Sequence, residues 1–169
     1  PTDFAMVGTG YPSRVQFLEA VDWPTEDVIL AGNWQAVTDD SPLIPMLGHD
    51  RDECYPNDLT ADLYRNTKSS LNLYRREAQH ADLVAGWAMG PREVELAACG
   101  TFYLTEERGE NREVLGMVPT VDGPEDFSEK LRWWLAHDKE RERVANKALA
   151  AVIDRTFLSN ARRLLSLIG

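Results

Sequence analysis

Cysteine is scarce: Cys54 and Cys99 stand far apart, which excludes a disulfide scaffold. Cys99 closes the apolar run 96–99 and reads as a buried, reduced thiol, which favours a cytoplasmic protein. Histidine is scarce as well. His49, His80 and His137 do not approach ligand spacing, so no metal site is expected. No uncharged stretch approaches the roughly 20 residues of a membrane span, and no basic start followed by an apolar run reads as a signal peptide. Positive charge is short too, with 18 Lys and Arg against 28 Asp and Glu for a formal net charge of −10. A chain this acidic repels nucleic acid and anionic membrane unless a basic stripe intervenes, and none is present. A small anionic ligand needs only two or three well-placed arginines and stays open. No G-x-S-x-G elbow and no catalytic cysteine signature occur.

What is there fits one soluble domain. The chain has 169 residues, 43% of them hydrophobic, enough for a core without staples. Charge is uneven: residues 1–60 carry 11 acids and 2 bases, residues 61–169 carry 17 acids and 16 bases. Apolar strand-like runs at 4–7, 28–31, 70–74, 101–105 and 117–121 alternate with helical patterns. Helices are expected from Ser13, over 57–66, from Pro91 to Cys99 and over 110–115, with residues 38–57 as a long surface loop. From Pro124 onward everything reads as helical, in three apolar stripes. The last stripe runs through Phe157, Ala161, Leu164, Leu165 and Ile168. This order predicts a single α/β domain over residues 1–169. Its mostly parallel sheet of about five to six strands is expected to be covered by helices on both faces and followed by a helical C-terminal segment.

The turn after the first run, Gly8-x-Gly10-x-x-Ser13, lacks the third glycine of a dinucleotide fingerprint, and the second strand ends in Gly32-Asn33 without the ribose-binding acid. A weaker reading survives, a tight strand-to-helix turn aimed at an anion with Arg14 beside it; a turn glycine and a solvent arginine explain the same residues. Asp50-Arg51-Asp52 has the spacing of carboxylates that hold a divalent ion and a diphosphate, but no strand precedes it, and a solvated loop is the plainer reading. A phosphoacceptor receiver needs an acidic pair after its first strand and an aspartate ending a central one, and both are missing. The richest stretch is 86–100. There a glycine-bracketed loop feeds a helix whose first turn carries Arg92, Glu93 and Glu95. Arg92 can fork to a phosphate and a glutamate can accept from a ribose diol; a helix whose acids complement its own dipole accounts for the same pattern.

The block Gly90-Pro91-Arg92-Glu93-Val94-Glu95-Leu96-Ala97-Ala98-Cys99-Gly100 resembles the R-x-x-E-x-x-A-C-G block of CgeB-like glycosyltransferases. Three further stretches agree in order: Val7-Gly8-x-Gly10-Tyr11-Pro12-x-Arg14, Ser70-Leu71-Asn72-Leu73, and the segment from Pro124 to Glu142. The resemblance covers most of the chain apart from the 38–57 loop. It implies the C-terminal half of a two-domain GT-B enzyme, the Rossmann-like domain that holds a nucleotide-sugar donor for retaining transfer without a metal or other cofactor. It further implies that Glu95 contacts the ribose. Arg14, the loop from Gly86 to Gly90 and Arg92 are implied near the diphosphate, with Asn72 close to the donor cleft and Gly8 and Gly10 among the nucleotide-sugar-binding residues.

Many relatives also place a glutamate against the donor sugar eight positions before the ribose glutamate; here that position is Trp87. The acceptor-binding half is not in this sequence, so a partner domain or chain is expected to supply it, and this chain alone is not expected to turn over efficiently. Trp87 and the missing half also suit an alternative, a non-catalytic module that keeps the fold.

Overall fold

The computed structural model describes residues 1–77 and 86–168; His80 lies outside the described residues. Four strands, β1 (Thr2–Val7), β2 (Val28–Ala31), β3 (Thr67–Asn72) and β4 (Tyr103–Thr105), form one parallel sheet in the order β2-β1-β3-β4. The helices are α1 (Pro12–Glu19), α2 (Asn57–Arg65), α3 (Pro91–Ala98), α4 (Gly109–Leu115), α5 (Pro124–Ala136), α6 (Asp138–Val152) and α7 (Phe157–Ile168).

Strand alternation divides the core into two layers. Phe4, Met6, Leu30, Leu71 and Leu104 pack against Val15 and Leu18 of α1 and Phe127 and Leu131 of α5. Val7, Ala31 and Tyr103 face the other way, onto Tyr64 of α2, Leu96 and Ala97 of α3, and Ala148 and Val152 of α6. The sheet is thus covered on both faces, as a parallel sheet requires.

Three expectations are corrected. The 117–121 run is not a fifth strand. It touches the sheet through a single bridge from Thr120 to Thr105, because Pro119 has no N–H to give and β4 is only three residues long. The third strand lies three residues earlier at its start than its apolar run suggested. Its polar first half is stabilised by side-chain bonds, with Thr67 Oγ1 donating to Leu63 O, Ser69 Oγ to Asp3 O, and Lys68 Nζ to Asp3 Oδ1. Cys99 is half-buried rather than buried, just past the end of α3, and is free.

The 38–57 segment is the expected long loop, with one 3-10 turn over Ile44–Met46, yet it is tied to the sheet edge. Leu47 bridges Leu30, and the buried Trp34 donates its backbone N–H to Arg51 O and its indole N–H to Ala31 O. Beyond α6 the packing stops. No residue of α7 is buried, and Phe157 is 97% exposed, so the third apolar stripe is formed without a partner among the described residues.

Candidate functional site

The chain leaves β1 for β2 on one side and returns to β3 on the other, so the crevice between β1 and β3 is a topological switch point, where open α/β sheets bind ligands. The backbone around it is tight. Gly32 (φ +106°) lies so close to the β1 turn that a Cβ there would meet Gly8 O at 2.3 Å. A Cβ on Gly8 would meet Arg92 Nη2 at 2.3 Å, so the missing side chain is what lets the α3 arginine reach the end of β1. Gly10 does a different job. It packs on Trp34, whose ring a Cβ would meet at 2.3 Å.

Arg14 is buried behind this turn. Its guanidinium donates to Thr9 O at 2.5 Å and to Leu73 O at 2.7 Å, so it joins the loops that follow β1 and β3. Burial, and then the neighbouring Arg92 cation, push Arg14 down to about 10, which leaves it charged at neutral pH. Tyr11 stacks under two arginines, with its ring 5.5 Å from Arg14 and 4.4 Å from Arg75. The start of α1 differs from the sequence expectation: the helix opens at Pro12, and the Ser13 N–H is taken at 2.8 Å by the Glu77 carboxylate.

Gly8, Gly32, Arg92 and Glu95 line one cleft of about 220 Å³, and Cys54 and Tyr55 line it as well. The long loop therefore builds part of this site, which its polar, aperiodic sequence did not reveal. A larger cleft of about 480 Å³ lies at the ends of β3 and β4, lined by Tyr74, Arg76, Trp87, Glu106 and Arg108 among others. Trp87 is 58% exposed, and its indole leans on Gly109, where a Cβ would strike it.

Asn72 and Gly90 serve a network that sequence reasoning missed. Its centre is Glu93, wholly buried. Its Oε2 accepts from Tyr74 Oη at 2.5 Å and from Gly90 N at 2.8 Å. Its Oε1 accepts from Asn111 Nδ2 at 3.0 Å and Thr105 Oγ1 at 3.3 Å, and Asn72 Nδ2 donates to Thr105 Oγ1 at 3.1 Å. The one available signal was position: Glu93 stands three residues past Gly90, where a capping glutamate reaches back to the first backbone N–H. Burial and the Glu93 carboxylate push the Tyr74 hydroxyl well above its ordinary value, so it remains a donor. The Asp50–Asp52 pair is different: both residues are exposed, and Asp50 Oδ1 accepts the Asp52 N–H.

A parallel α/β sheet covered by helices on both faces, with a glycine turn after its first strand, defines a Rossmann-like domain. Residues 14–166 match a family model described as glycosyl transferase-like, and the chain belongs to that family. No curated protein and no solved structure matches it.

Proposed function

We propose that this domain holds the nucleoside diphosphate sugar of a retaining, metal-independent glycosyltransferase of the CgeB-like kind, working in the cytoplasm with a second domain or chain that binds the acceptor. One observation carries the reading: Arg92 and Glu95 line one cleft with Gly8 at the mouth of a parallel sheet, and the Arg92 cation lies near enough to the buried Arg14 to push it down. Two like charges close together are unfavourable, and an anion held by Arg92 in the cleft relieves the cost. Arg92 would grip the diphosphate, Glu95 would accept from the ribose diol, and the positive groups would stabilise the diphosphate as it departs. The apolar face of α7 is consistent with a further domain.

Titration calorimetry with UDP and GDP tests this. The wild-type domain is expected to bind one of them. Arg92→Ala and Glu95→Ala are each expected to weaken that binding about tenfold or more, since a hydrogen bond to a charged group contributes roughly 1.5–3 kcal/mol. No binding at millimolar nucleotide would count against the proposal and favour a non-catalytic module. That second reading rests on Trp87 standing where the resemblance expects a sugar-contacting glutamate, and the cleft it lines is open, at about 480 Å³.

A further inference from the structure

We propose that Glu93 is the positioning residue of this site: its carboxylate ties the turn that opens α3 to the ends of β3 and β4, and so sets where Arg92 and Glu95 meet a nucleoside diphosphate. The inference rests on the reading above for its ligand. A carboxylate with no exposed surface is costly unless its lone pairs are filled. Here the four donors come from four separate places in the chain: Tyr74 after β3, Gly90 before α3, Thr105 at the end of β4, and Asn111 in α4. The same residues are bound to one another. Asn111 Nδ2 also faces Tyr74 Oη at 3.2 Å and donates to Glu106 O at 2.9 Å, while the Arg108 guanidinium lies 3.8 Å from the centre of the Tyr74 ring.

Each carboxylate oxygen meets one hydroxyl and one N–H, and the Thr105 hydroxyl shares its single proton between Glu93 Oε1 and Glu106 O, 3.0 Å away. A hydroxyl can turn and become an acceptor, but an N–H cannot, so a glutamine amide would face a fixed donor whichever way it pointed. The site therefore calls for a carboxylate. A helix cap alone would use only the Gly90 bond and would not need a buried acid. Arg92 and Glu95 flank Glu93 in the same two turns of α3, so fixing Glu93 fixes the register of both at the cleft.

The test compares Glu93→Gln, Glu93→Asp and Tyr74→Phe with the wild-type domain. Urea midpoints, nucleoside diphosphate affinity of the folded protein, and the amide resonances of Gly90 and Arg92 are read for each. Tyr74→Phe removes one donor and keeps the core, so it remains informative should a Glu93 variant fail to fold. The expected result is affinity weakened about tenfold in Tyr74→Phe and in any Glu93 variant that folds, with Gly90 and Arg92 amides shifted before ligand is added. Losses in the urea midpoint with an unchanged dissociation constant would reduce Glu93 to a fold residue and overturn the proposal. If wild-type protein binds no nucleotide, the reading of the ligand falls while the amide shifts still decide the clamp: unmoved Gly90 and Arg92 resonances refute it.

Discussion

Gly32→Ala is expected to destabilise the domain by about 3 kcal/mol, because two costs fall on one atom. The backbone there sits at φ +106°, which L side chains rarely adopt, and the new Cβ would stand 2.3 Å from the carbonyl oxygen of Gly8. A flexible side chain could move aside; a backbone carbonyl at the end of β1 cannot without prising β1 and β2 apart. Gly100→Ala is the control. It also has a positive φ, +72°, but nothing lies within 4 Å of its Cβ position, so it should lose only about 1 kcal/mol. Equal midpoints for the two variants in urea would show that the Gly8–Gly32 contact is not tight. The Gly32 variant should also bind nucleotide more weakly, since Gly8 and Gly32 line the cleft with Arg92.

Arg14→Ala is the second large expected effect, about 3 kcal/mol, or near 10 °C in Tm for a domain of this size. Its guanidinium satisfies two carbonyls, Thr9 O and Leu73 O, on loops that no strand pairing holds together. Arg14→Lys is expected to recover part of the loss at most, because a single ammonium does not reproduce the fork that spans both loops. Thermal unfolding followed by circular dichroism checks both variants. A Tm within 2 °C of wild type for Arg14→Ala would mean that the two carbonyls find other donors. From sequence, Arg14 read either as a cation facing an anion or as a solvent arginine. Burial adds a structural duty, and any nucleotide titration of an Arg14 variant needs its stability measured alongside.

The α/β architecture was legible because it rests on short-range patterns. The runs at 4–7 and 28–31 match β1 and β2 closely, Pro91 opens α3, and Gly100 follows its end with the expected positive φ. The strand count was not, because hydrogen bonding between segments decides it: Pro119 spoils a run that looks like a strand, while Thr67-Lys68-Ser69 joins the sheet despite its polarity. The apolar stripe on α7 was equally visible, but only packing could tell that nothing among the described residues covers it.

The site divides along the same line. The sequence by itself put Gly8 in the turn after the first strand and Arg92 and Glu95 at the start of a helix, since glycine turns and helix starts have local signatures. Only the tertiary structure decided that Gly10 is packing for Trp34, that the 38–57 loop walls the cleft, and that Glu93 rather than Glu95 is the buried acid. The reason is physical. Whether a carboxylate is buried, and which donors fill its lone pairs, depends on residues 19 positions before it and 12 to 18 after it, and no local pattern records that distance.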